Sequence, residues 1–261
     1  MTSNTAGRQP GSFRQQPAPA GRRIAARAAF EAKAILGNGE QLMLSIVLPL
    51  AFLFTLSLTD ILEVFGYEGS NHTAVALAGV LGVSIASNAF TGQAIATAFE
   101  RRYGVLRHTA TTPLGAGGLV AGKIIAVLGV TVVQYALAFA CAAFLGLEAN
   151  LNIAAVVISA VVGTAAFVGL GLLMAGTMRP EAVLAFANLL WAAMAGGGGL
   201  LIDHGGTWGE VVGFLPSGAL GSALRSAVID GRFDWMSLFV LTVWAAIAAA
   251  AARRWFSYED R

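Results

Sequence analysis

Ile153–Met178 reads IAAVVISAVVGTAAFVGLGLLMAGTM and holds no charged side chain. A helix needs roughly 20 apolar residues to cross the ~30 Å hydrocarbon layer of a bilayer. Within that layer the backbone polar groups must be bonded inside the segment, so such a run reads as a helix. Five more charge-free runs lie around it: Gln41–Thr59, Thr73–Phe99, Ile124–Leu147, Ala182–Ile202 and Trp235–Ala252. Hydrophobic residues make up 57 % of the chain and charged residues 11 %. Soluble domains carry about 25 % charged residues, so a soluble bundle is a poor reading. The expected fold is all-α, a polytopic membrane protein with six transmembrane helices.

Basic residues collect on the cytoplasmic side of a membrane because they resist translocation. The segment before the first run holds Arg8, Arg14, Arg22, Arg23, Arg27 and Lys33, whereas residues 60–72 hold none. Arg101, Arg102, Arg107 and Lys123 follow the second run, Arg179 follows the fourth, and Arg253, Arg254 and Arg261 close the chain. Placing both termini in the cytoplasm puts all of the 16 basic residues inside except Arg225 and Arg232. The expected location is the plasma membrane, with both ends cytoplasmic. Topology accounts for the basic balance, and no nucleic-acid partner is needed.

Residues 1–20 are rich in Pro, Gln, Gly and Ser and read as a disordered tail. Residues 21–261 form the membrane domain. The segment before Gln41 lacks the early apolar core of a cleavable signal. From Gly21 to Gly37, Ile24, Ala28, Ala32, Ile35 and Leu36 recur at helical spacing. They predict an interfacial helix among the lipid headgroups, although Glu31 intrudes on that face.

The six runs contain no ionisable acid or base of the kind that marks proton or ion paths. Asn88, Gln93, Gln134 and Asn188 are the large polar side chains at depth. Each can bond a neighbouring helix or meet a polar part of a cargo; Asn88, Gln93 and Asn188 are the candidate pathway residues. His72, His108 and His204 fall in loops and form no H-E-x-x-H pattern, and Cys141 is a single cysteine. No catalytic constellation or metal site is expected, and the chain does not read as an enzyme. Gly117, Gly122 and Lys123 match the start of G-x-x-x-x-G-K-[ST], but Ile124 stands where a hydroxyl is required. No ATP or other cofactor is expected on this chain. Gly196–Gly199 is either a close-packing face or a break near the outer end of the fifth run.

The segment after the second run is the most specific. It carries Glu100-Arg101, then Gly104-x-Leu106, then Thr112-Pro113, then Gly122-Lys123. This order and spacing resemble the type-2 family of ATP-binding cassette (ABC) permeases. Phe214-Leu215-Pro216-Ser217 and Ala223-Leu224-Arg225 resemble that family's outer segment. Arg107 and His108 depart from it, standing where an acid is common.

The resemblance implies a permease subunit driven by a separate ATPase subunit, present in two copies and carrying the ATP and Mg. It implies a second permease copy, with a homodimer the simplest case, surrounded by membrane lipids. Glu100, Arg101, Gly104, Leu106, Thr112 and Pro113 would form a cytoplasmic coupling helix and its mount. Proline fits a first helical turn, since its missing N–H is unbonded there anyway. Phe214, Leu215 and Pro216 would belong to an outer gate. The apolar spans suit export of a hydrophobic or amphipathic compound such as a drug, antibiotic or lipid-linked molecule. Polysaccharide or lipid-glycan export is an alternative within the family. A self-contained secondary carrier or channel and a membrane-bound enzyme or assembly factor are alternatives outside it.

Overall fold

The computed structural model describes residues 18–37, 39, 43–67, 72–106 and 115–255. The expected tail up to residue 17 and the expected coupling residues Thr112 and Pro113 lie outside the described residues. Every regular element among the described residues is helical. In chain order they are α1 (Ala20–Gly37), α2 (Leu48–Leu58), α3 (Ile61–Val64), α4 (His72–Ile85), α5 (Gln93–Arg102), α6 (Gly115–Phe144), α7 (Ile153–Thr177), α8 (Pro180–Gly196), α9 (Gly206–Gly213), α10 (Pro216–Val228) and α11 (Trp235–Trp255). A π-helical segment, Met43–Val47, leads into α2, and a second, Ala86–Gly92, joins α4 to α5.

Local chemistry sets the boundaries. Asn152 caps α7 by accepting from the Ala155 N–H at 3.0 Å. Arg179 precedes a proline and is held extended, so α7 stops short of it. Pro180 and Pro216 open α8 and α10, where a missing N–H costs nothing. Asp234 accepts from the Ser237 N–H at 3.1 Å and from its hydroxyl at 2.6 Å, which fixes the start of α11. Gly146 (φ 80°) reverses the chain after α6.

Among the described residues four helices are long and apolar enough to cross a membrane, His72–Arg102, Gly117–Phe144, Ile153–Thr177 and Trp235–Ala252, with the bent pair Gly206–Gly213 and Pro216–Val228 a fifth if it is one span. Two of the six expected spans come out short, as Ser45–Leu58 and Pro180–Gly196. At 1.5 Å per residue these reach roughly 20–26 Å, less than the ~30 Å layer. The first runs from the π segment through Pro49 and ends where Thr59 turns extended, and the glycine run ends the second.

The helix His72–Arg102 is the mast of the bundle. Its most apolar stretch is 94 % buried by other helices, against 39 %, 50 % and 33 % for the other three. Small residues let the neighbours close on it. A Cβ on Gly171 of α7 would stand 2.8 Å from the Phe90 carbonyl, and Phe90 meets Phe167 edge to face at 6.4 Å. α10 is also buried over most of its length, between α4, α7 and α11.

A helix forms over the expected residues as α1, with Ala28, Glu31 and Ile35 buried. Its inward face lies on α6, so closely that a Cβ on Gly122 would sit 2.7 Å from Arg27 Cγ. Phe30 and Leu36 remain exposed on its other side.

Candidate functional site

Arg27, Arg101, Arg102, Lys123 and Arg179 share one end of the bundle, here called the basic end. The central helix is clamped there on two sides. On one side Lys123 of α6 is fully buried between two carboxylates, 3.1 Å from Glu31 Oε1 and 3.2 Å from Glu100 Oε2. Arg27 of α1 pairs with Glu31 on its own helix and with Glu100 at 3.4 Å. Two cations and two carboxylates thus neutralise one another across α1, α5 and α6. Glu31, which looked misplaced on an apolar face, is the partner that Lys123 requires; an unpaired buried charge would cost several kcal/mol.

On the other side Arg101 donates to the Met178 carbonyl, and Arg102 pairs with Glu181 at the start of α8. A hydrogen bond from its own backbone N–H, followed by the charges of Arg102 and Arg179, holds the Glu181 carboxyl below the usual carboxylate range.

The chain then turns away from this clamp. Tyr103 stacks on Phe99 at 6.2 Å and stays exposed. Gly104 takes φ +74°, a region that side chains with a Cβ avoid. Leu106 re-enters and is fully buried. Of the expected coupling residues, then, Glu100 and Arg101 lie in the clamp, Gly104 makes the turn and Leu106 anchors it. Lys123 belongs to the same assembly. Gly117, Gly122 and Lys123 all lie in one continuous helix, not in the loop that a phosphate-cradling motif needs.

The candidate pathway residues do not converge. Asn88 is fully buried and donates to Gln134 Oε1 of α6 at 2.8 Å. Gln93 is 1 % exposed, and its Oε1 has no hydrogen-bond partner among the described residues. Asn188 is exposed and donates to the Leu184 carbonyl of its own helix at 2.9 Å. Ser87 accepts from the Trp191 indole at 2.8 Å, which ties α8 to the central helix.

At the opposite end, α8 breaks at Gly196–Gly199 and the chain folds back. Of the two roles open to these glycines, Gly196 and Gly197 end the helix, whereas Gly198 and Gly199 also pack closely. Gly199 has φ +79°, and a Cβ there would meet Val212 Cγ1 at 2.7 Å. α9 and α10 meet at 99°, with Phe214, Leu215 and Pro216 at the corner. Phe214 and Leu215 are exposed, and the Phe214 carbonyl accepts from the Trp244 indole at 2.9 Å. Arg225 of α10 reaches the broken end of α8. Its Nη1 donates to the Gly199 carbonyl at 2.9 Å, and Nη2 lies 3.6 Å from Asp203. The expected gate residues are therefore brought together on one corner. Sequence reasoning placed Arg225 in this segment, but not its contact with the glycine break. A groove of about 420 Å³ opens at this end beside Tyr67, Val75, Glu148 and Ile229, away from Asn88 and Gln93.

A helical mast clamped at its basic end and a folded-back corner at the other define a multi-pass, all-helical membrane protein. The family model for the ABC-2 type transporter matches residues 25–205. The chain belongs to that family, and is therefore a membrane permease subunit of an ABC transporter, a class that works with an ATP-binding subunit. No curated protein matches it.

Proposed function

We propose that the chain is the membrane half of an exporter for a hydrophobic or amphipathic compound, driven by two copies of an ATPase subunit. A second copy of the chain completes the translocation path. The basic end faces the cytoplasm, both termini lie on the cytoplasmic side of the plasma membrane, and the six apolar helices all serve as spans. The observation that carries this reading is the clamp. Its four charges tie α1, α5 and α6 together beside the Gly104 turn, so a push on that turn is delivered to three helices at once. Residues 104–113 receive the push, and the corner at Phe214–Pro216 gates the far side. Paired as they are, the carboxylates serve as struts and not as a proton relay. That favours an ATP-driven path over a self-contained carrier. The charge-free spans suit an amphipathic cargo better than a glycan.

Reconstituted in liposomes with its ATPase partner, the chain should show ATP turnover that rises with one class in a panel of drugs, lipid-linked molecules and oligosaccharides. The expected class is the amphipathic one. A response to oligosaccharides alone would overturn the cargo assignment, and flux through the chain without the partner would overturn the mechanism.

A further inference from the structure

Pro49 has no N–H, so in a helical chain the carbonyl four residues back, that of Ser45, loses its partner. Ser45 is 2 % exposed and lies in the π segment just before α2. At such depth water cannot take the missing place. Gln134 of α6 does so, with its Nε2 2.6 Å from the Ser45 carbonyl oxygen. A carbonyl only accepts, so it fixes which end of the Gln134 amide faces it. The other end, Oε1, accepts from Asn88 Nδ2 at 2.8 Å, and Asn88 also donates to the Ser84 carbonyl at 3.2 Å. Asn88 sits in the π segment of the central helix. One buried glutamine, 4 % exposed, thus joins the two π segments of two different helices.

Proline and π segments are the common sites of sharp bends in helices, and π segments recur at functional sites. We propose that Gln134 is a positioning residue, a latch that holds the start of α2, around Pro49, against the central helix. Releasing it frees α2 to swing about Pro49. Ser45 Oγ and Asn88 Oδ1 have no hydrogen-bond partner among the described residues, so the row holds spare acceptors for the Gln134 amide once it leaves the carbonyl. The use of that swing in transport rests on the reading above; the latch itself concerns this chain alone and is tested without a partner.

Spin labels at Leu58→Cys and Phe144→Cys, in a Cys141→Ala background, report the distance between the ends of α2 and α6, where both native residues are exposed. The parent should give one narrow distance population. Gln134→Leu should broaden it or add a second. Adding Pro49→Ala restores a backbone N–H for the Ser45 carbonyl and should return the single population. A merely structural role for Gln134 would leave Pro49→Ala without effect on the distances. An unchanged distribution in Gln134→Leu, or a second population that survives Pro49→Ala, would overturn the latch. If Gln134→Leu alone does not assemble, recovery of folded protein by Pro49→Ala supports the proposal, and no recovery overturns it.

Discussion

Lys123→Met should cost about 3–5 kcal/mol of stability, the usual cost of removing one partner from a buried ion pair. The Lys123 side chain is 0 % exposed, Glu31 is 4 % exposed and Glu100 is 18 % exposed. Methionine fills a similar volume, so packing is nearly kept and the charge is what goes. The two carboxylates are then left to share Arg27, and their repulsion in a poorly solvated site is no longer offset. Adding Glu31→Gln should recover much of the loss, because Arg27 and Glu100 then balance one for one. The unfolding midpoint of the purified chain in detergent measures both. A small effect in the single variant, or no recovery in the double, would mean that the four charges do not act as one cluster.

Gly221→Ala should cost about 3 kcal/mol or more, above the usual range for one added methyl in a packed interior. Its Cβ would stand 2.0 Å from the Gly199 carbonyl oxygen, which is the acceptor of Arg225. Backbone cannot give way there as the end of a flexible side chain can. Moving Gly199 also breaks the bond that closes the end of α8, and leaves a buried guanidinium short of a partner. Gly213→Ala is the control, since nothing lies within 4 Å of a Cβ at that site. It should change stability by less than about 0.5 kcal/mol. Protease sensitivity of residues 200–215 should rise in the Gly221 variant and not in the control. Equal behaviour of the two would remove the case for a packed, Arg225-locked corner.

The helices were legible because a bilayer leaves the chain few choices. An apolar run such as Ile153–Met178 has no water for its backbone, so its conformation follows from composition alone. Two spans were legible in position and not in length. The reasons are local: an extended Thr59 ends one, and Gly196–Gly199 ends the other. The mount of the basic end was half legible. Glu100, Arg101, Gly104 and Leu106 stood out by spacing, but Glu31 and Lys123 are far apart in sequence and meet only because α1 lies across α6. Glu31 was visible as a misfit on an apolar face, and a misfit carboxylate in a membrane protein is a signal for a buried cation. The Gln134 contact was less visible still. The rule that Pro49 frees the Ser45 carbonyl can be applied to the sequence, but which side chain answers it depends on helix packing. Arg225 teaches the same lesson, because its main partner is a backbone oxygen and carries no mark in the sequence.

The central claim is that force reaches this chain from an ATPase subunit through the Gly104 turn. The direct measurement is isolation of the chain from its native membrane under mild detergent, as the parent and as Gly104→Val with Pro113→Ala. The account predicts that an ATP-binding subunit accompanies the parent in equal amount. It predicts a drop of roughly tenfold or more for the variant, as expected when the centre of a contact is lost, with the variant still inserted in the membrane. A parent that comes out free of any ATP-binding subunit, or a variant that keeps it undiminished, would contradict the account.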